Sequence, residues 1–209
     1  MKWFQLPLGS FQTNCYILVN RQKECLIFDP GDESEKLISF ISQKELIPKA
    51  VLLTHAHLDH IGALDDIRKQ YKIQAYIHEK EADWLIDPSL NGSKLFTPSS
   101  PLKLSPAENI VKGEQKLTVK GFEFELLETP GHSPGSVSYY FKELGAVFSG
   151  DALFNRSIGR TDLPGGNHKQ LIQSIKTKLL TLPNNTVVLS GHGPATTIRE
   201  ESRENPFLV

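Results

Sequence analysis

Sulfur and tryptophan are scarce in this chain: two Cys, one Met and two Trp among 209 residues. Two cysteines exclude a disulfide-built scaffold and a four-thiolate structural zinc site. Cys15 and Cys25 fall on neighbouring strand-like segments, where reduced core thiols are the expected state. Net charge is also missing, with 23 Lys and Arg against 24 Asp and Glu. Without an extended basic field, neither a nucleic acid nor an anionic membrane is an expected partner, which leaves small molecules. No apolar run approaches membrane-spanning length, and residues 1–13 are too interrupted for a signal-peptide apolar region, so a soluble cytoplasmic protein is expected. With 39% hydrophobic residues the chain can bury one sizeable core, and a single domain spanning 1–209 is the expectation.

What the chain does have is a dense group of ligand-type side chains in Thr54-His55-Ala56-His57-Leu58-Asp59-His60, which holds three of the seven histidines. It follows the apolar run Ala50-Val51-Leu52-Leu53, which reads as a buried strand, so these side chains emerge together at a strand end. Imidazole nitrogen with carboxylate oxygen is the donor set of a catalytic zinc or non-haem iron site, in contrast to the thiolates of a closed structural site. A polar loop of solvated histidines is the bland alternative, and the density of ligand types argues against it.

Around that cluster, residues 14–19 and 25–28 read as a hairpin, interrupted by Asp29-Pro30-Gly31-Asp32. Leu37, Phe40 and Ile41 follow helical spacing between residues 33 and 44, and Pro48 precedes the strand that delivers the histidines. Ile61, Leu64, Ile67 and Tyr71 share one face of a helix with His60 at its N-terminal edge. A strand at 74–77 and a short helix at 79–85 follow, and the proline-punctuated residues 87–106 read as a long loop that could cover a pocket. Strands are expected at 109–112, 115–119, 122–128, 137–141, 146–149 and 186–189. A helix at 167–180 has Asn167 as its N-cap. Strands and helices alternating in both halves predict two sheets with helices outside, a four-layer αββα sandwich of the α/β class.

The remaining ligand types fall at further strand ends: His132 in Thr129-Pro130-Gly131-His132, Asp151 in Ser149-Gly150-Asp151 and His192 in Ser190-Gly191-His192-Gly193. A glycine precedes each, which permits the sharp turn that aims the next side chain over the sheet edge. His78 and His168 lie outside this pattern and read as a strand-end and a solvated residue.

The His-x-His-x-Asp-His run at 55–60, Pro-Gly-His at 130–132, Gly-Asp at 150–151 and Gly-His-Gly at 191–193 resemble the metallo-β-lactamase fold superfamily. The resemblance implies two divalent metal ions, with zinc expected and iron or manganese as alternatives. His55, His57 and His132 would hold one ion, Asp59, His60 and His192 the other, and Asp151 would bridge them. It also implies a metal-bridging hydroxide as nucleophile, with Asp59 catalytic in orienting it. Arg160 and Asp162 would support the metal loop as an ion pair beneath Asp151.

An aspartate at 151, where exported β-lactamases often carry cysteine, points away from antibiotic hydrolysis. The segments Thr13-Asn14-Cys15-Tyr16, Phe28-Asp29-Pro30-Gly31, Gly150-Asp151-Ala152-Leu153-Phe154, Gly159-Arg160-Thr161-Asp162 and Asn205-Pro206-Phe207 are similar to the glyoxalase II group, which implies cleavage of a small thioester such as S-lactoylglutathione. Persulfide dioxygenases share the scaffold and bind one iron through the counterparts of His55, His132 and Asp151. A non-catalytic metal-binding module is a third reading. The Pro164-Gly165-Gly166-Asn167-His168 stretch looks like short bacterial hydrolases and favours hydrolysis.

Overall fold

Apolar runs separated by turn residues build a six-stranded sheet in the first half of the chain and another in the second. The computed structural model describes residues 1–209, divided into two units, Met1–Val111 and Lys112–Val209.

In the first unit, β1 (Lys2–Leu8), β2 (Thr13–Val19), β3 (Glu24–Phe28), β4 (Ile47–Leu52), β5 (Gln74–His78) and β6 (Asn109–Val111) lie in sequential order in the sheet. The first three strands are antiparallel and β3 to β6 are parallel. Strand β2 is buried along its whole length, which is why its apolar stretch is continuous instead of alternating. Helix α1 (Ser34–Gln43) turns Leu37 and Ile41 into the core, as its spacing predicts. There they join Ile17, Ile27 and Val51, each such side chain worth roughly 1.5–3 kcal/mol of burial.

Three features of this unit differ from expectation. Strand β1 has no counterpart among the expected strands; only Leu6 and Leu8 of it are buried, so its pattern is weak at this sheet edge. Pro48 lies inside β4 instead of before it, opposite Cys25 where the ladder register shifts, a place that tolerates a residue with no N–H. The helix expected after the histidines is two pieces, the single turn α2 (Leu58–Ile61) and α3 (Leu64–Tyr71), separated at Gly62.

Residues 87–106 are ordered by two buried polar side chains and contain one helical turn, α4 (Ser93–Phe96). Asn91 donates to the carbonyls of Trp84 (2.9 Å) and Leu102 (3.0 Å) and accepts from the Ser93 amide (3.0 Å). Arg68, on α3, donates to the Ser105 and Pro106 carbonyls at 2.9 Å each and pairs with Asp65. A segment without a hydrophobic core of its own is thereby fixed by satisfied backbone groups.

In the second unit, β7 (Gln115–Val119), β8 (Phe122–Glu128), β9 (Val137–Phe141), β10 (Ala146–Gly150), β13 (Val187–Ser190) and β14 (Thr196–Thr197) form a sheet in the order β14-β13-β10-β9-β8-β7. Only β10 and β13 run parallel. The hairpin β11 (Leu153–Phe154) and β12 (Ser157–Ile158) stands apart from this sheet. Helix α5 (His168–Ser174) starts at the expected cap, where Asn167 Oδ1 accepts from the Gln170 amide at 3.0 Å. It continues as a π-helical stretch to Leu179, with Leu171, Ile175 and Leu179 in the core. In helix α6 (Ile198–Glu204) the buried Glu201 accepts from Thr196 Oγ1 (2.6 Å), Asn205 Nδ2 (2.7 Å) and the Arg156 amide (2.9 Å). No helix is long and apolar enough to cross a membrane.

Candidate functional site

Residues 1–111 bring His55, His57, Asp59 and His60 together at the end of β4. Asp29, at the end of the neighbouring β3, organises them. Its Oδ1 accepts from the Thr54 amide (2.8 Å), and its Oδ2 accepts from Thr54 Oγ1 (2.6 Å) and lies 3.0 Å from His60 Nδ1. Thr54 Oγ1 is also 3.1 Å from His55 Nδ1. The hydroxyl gives its proton to Asp29, so it accepts from His55, and both rings are assigned as Nδ1–H tautomers by this network. A carboxylate behind a histidine, as Asp29 stands behind His60, fixes the ring's tautomer and raises its basicity. The ligand atoms of Asp29, His55 and His60 lie within 4.8 Å of one another, and the His55 and His60 rings are 4.0 Å apart.

The rest of this loop is held from below and behind. The Ala56 amide, between His55 and His57, donates to the buried Glu81 carboxylate at 2.7 Å. The His57 ring lies 5.5 Å from that of Trp84, on the same 3₁₀ helix Glu79–Leu85, and the Leu58 amide donates to the Asn91 carbonyl at 2.9 Å. Asp59 Oδ2 accepts from Thr13 Oγ1 (2.7 Å) and sits 3.5 Å from His60 Nε2. Gly31 must be glycine here, since a Cβ would stand 1.8 Å from the Asp59 carbonyl oxygen.

Residues 112–209 bring together His132, Asp151 and His192. His132 follows β8 on a loop gripped by α5: the Asn167 amide donates to the Gly131 carbonyl (2.7 Å) and Ser174 Oγ to the Pro130 carbonyl (2.7 Å). Gly131 has φ 133°, and a Cβ on it would meet the Leu171 backbone nitrogen at 2.2 Å. Gly150, before Asp151, has φ 51°, so two of the three glycines perform the expected turn; Gly191 has no left-handed φ, and the positive angle falls on Gly193. Asp151 Oδ2 lies 3.6 Å from His132 Nε2 and 3.5 Å from His192 Nε2, so one carboxylate oxygen faces two imidazoles. His132 Nδ1 is 2.8 Å from the Arg160 carbonyl, which fixes that ring with Nε2 toward Asp151.

Arg160 and Asp162 do form a bidentate pair, at 2.7 and 2.8 Å, but the side chains are 52% and 68% exposed. Arg160 thus reaches His132 through its backbone oxygen, while its guanidinium holds the Asp162 carboxyl down to about 2. His78 caps the 3₁₀ helix, accepting from the Lys80 amide, and His168 is exposed at the start of α5. Asp29, Glu81, Thr13 and Thr54 were not among the expected site residues. Asp29 lies at a strand end like the expected ligands, but it has Phe28 before it and Pro30 after it and lacks the preceding glycine that marks them.

Imidazole and carboxylate donors at strand ends, with outer hydrogen bonds fixing the rings, fit divalent metal ions and define a metal-binding α/β protein. Residues 8–192 match the family model described as metallo-beta-lactamase superfamily, and the chain belongs to that superfamily and has its fold, the class expected from the sequence. It is accordingly a metallo-hydrolase of this superfamily. It is 51% identical to the probable metallo-hydrolase YqgX of Bacillus subtilis (strain 168), over 100% of this chain and 98% of the relative. It is 37% identical to the hydroxyacylglutathione hydrolase GloC of Haemophilus influenzae (strain ATCC 51907 / DSM 11121 / KW20 / Rd), covering 97% and 96%. Among solved structures, that of the B3 metallo-β-lactamase BLEG-1 shares 52% identity and a TM-score of 0.97 over 99% of both chains. The di-iron-bound form of TTHA1623 shares 40% identity and a TM-score of 0.84, over 98% of this chain and 100% of that one.

Proposed function

We propose that residues 1–209 act as a single hydrolase domain that cleaves a small thioester to an acid and a thiol. His55, His57 and His132 would hold one divalent ion and Asp59, His60 and His192 a second, with Asp151 shared. The observation that carries this reading is the placement of Asp151 Oδ2 at 3.6 and 3.5 Å from the Nε2 atoms of His132 and His192, which suits a bridging anion. The GloC relative, matched along nearly its full length, supports the thioester. Zinc suits the nitrogen and oxygen donors, and the di-iron form of TTHA1623 makes iron the alternative.

Bound ions would supply Lewis acidity and lower the pKa of water from ~15.7 toward neutrality. The chain's own residues supply orientation. Thr13 locks the Asp59 rotamer, so that Asp59 can orient the attacking water toward the thioester carbonyl. The new C–O bond forms as the C–S bond breaks, and the thiol leaves with a proton from that water. A cysteine nucleophile is not available: burial raises the Cys15 thiol well above its ordinary value and pushes Cys25 up to about 12.

Metal-quantified protein assayed on S-lactoylglutathione tests this. His55→Ala and Asp151→Ala should each lower turnover by at least about 10³-fold while circular dichroism is retained; full activity in both variants refutes the assignment. A second reading, β-lactam hydrolysis, is favoured by the likeness to BLEG-1. A chromogenic cephalosporin in the same assay decides it: faster turnover than any thioester would displace the first reading.

A further inference from the structure

A cavity of about 290 Å³ lies in residues 1–111 beside the candidate ligand Asp59. The β1–β2 turn forms one wall, with Leu8 and Phe11; Asp32, Leu58, Asp59 and Leu102 line the remainder. The turn is rigidly placed. Its Gly9 amide donates to Glu33 Oε2 (2.7 Å), Gln12 Nε2 donates to the Gly9 carbonyl (2.6 Å), and Gly9, with φ 66°, lies so close to Asp32 that a Cβ would stand 2.4 Å from the carboxylate oxygen. Phe11 is 45% exposed and meets Phe96 edge to face at 6.3 Å, which turns an aromatic surface to the opening.

The charged side chains lining this cavity have one sign, set against the divalent ion that Asp59 would help to hold. Among its lining residues there is no lysine or arginine, while two are carboxylates. Asp59 is committed to the ligand set. Asp32 is exposed, accepts from the Glu33 amide at 2.7 Å and pairs with no cation; the nearby Lys36 is taken by Glu33 and the Pro7 carbonyl, both at 3.1 Å. A free carboxylate beside an exposed aromatic ring and leucine side chains is the chemistry that receives an ammonium on a short apolar stem. Asp32, the carboxylate left uncommitted, disfavours a carrier that sets a carboxylate beside it.

We propose that this cavity binds the thiol-side arm of the substrate and selects a cationic carrier over an anionic one such as glutathione. This rests on the thioester reading and names the class of carrier. Asp32 and Phe11 are its specificity-determining residues.

The test is kcat/KM for three esters of one acyl group on metal-replete enzyme: S-lactoylthiocholine (cationic), S-lactoyl-N-acetylcysteamine (neutral) and S-lactoylglutathione (anionic). The cationic ester should exceed the anionic one by at least about 10-fold. Asp32→Lys should cut that ratio by at least about 10-fold. Phe11→Leu, which keeps apolar bulk without a ring face, should lower it about 2- to 5-fold. A preference for the glutathione ester, or a ratio unmoved in Asp32→Lys, overturns the proposal.

Calorimetric titration with the non-hydrolysable thioethers S-ethylthiocholine and S-ethylglutathione separates this from the parent reading. If no thioester is cleaved, the hydrolase assignment fails, while tighter binding of the cationic thioether, lost in Asp32→Lys, still upholds the cavity's preference. Equal or tighter binding of the glutathione thioether overturns it.

Discussion

Replacing Asp29 by Asn probes how much of the site depends on the carboxylate that stands behind His60. The residue sits at φ 47°, a left-handed conformation that Asn tolerates, so backbone strain is not introduced. The carboxylate accepts three hydrogen bonds, from the Thr54 amide, Thr54 Oγ1 and His60 Nδ1. An amide cannot reproduce them: one orientation sets its NH₂ against the His60 N–H, and the other sets it against the Thr54 N–H. Bonds to a charged acceptor contribute about 1.5–3 kcal/mol each, and one or two are lost, so the expected destabilisation is about 3 kcal/mol. At roughly 2–4 °C per kcal/mol for a chain of this size, the metal-free protein should melt about 6–12 °C lower. With His60 no longer oriented, affinity for metal should fall about 10- to 100-fold. Thermal unfolding of metal-free protein and competition with a chromogenic chelator measure the two effects. A melting temperature within about 1 °C of wild type, together with an unchanged chelator midpoint, would refute the supporting role of Asp29.

Gly131→Ala should destabilise by at least about 3 kcal/mol, because its Cβ would stand 2.2 Å from the Leu171 backbone nitrogen in a helix that cannot shift; Gly145→Ala, at φ 64° with open space around it, should cost only about 1 kcal/mol, and equal melting temperatures would contradict this. Glu81→Ala strands the buried Ala56 amide and should cost about 1–3 kcal/mol with weaker metal retention, whereas Glu81→Gln keeps an acceptor and should lie between it and wild type. By carbon-detected NMR, Asp162 should titrate near about 2 and return toward the ordinary carboxylate range in Arg160→Ala. Because the folded value is depressed, the pair's small contribution is complete above the ordinary carboxylate pKa and fades as pH falls through about 2, and a melting temperature that instead rose on acidification would reverse the sign.

The strand ends that present His55, His132, Asp151 and His192 were legible because each couples an apolar run to ligand chemistry, two signals that seldom coincide. Helices α1 and α5 were legible by period, and α5 by its Asn167 cap. Other parts carry weaker local signals. Strand β1 buries two side chains at an edge, and β14 is two residues long, so neither offers a usable alternation. Pro48 looked like a boundary because the register shift that accommodates it is a property of the pair β3–β4, not of β4 alone. Asp29 resembles any turn aspartate, and Glu81 any acid on a short helix, until the fold places a buried N–H opposite each. Exposure of the Arg160–Asp162 pair likewise depends on tertiary context: spacing by two residues permits the ion pair but says nothing of its depth.

The central claim is metal-dependent thioester hydrolysis, and titrating metal-free protein with Zn²⁺ while following S-lactoylglutathione cleavage tests it most directly. Activity absent at zero metal, rising with each equivalent and reaching its plateau at two ions per chain is the predicted result. Undiminished cleavage by fully chelated protein, or a single bound iron accompanied by oxygen uptake on glutathione persulfide and no hydrolysis, would contradict the account.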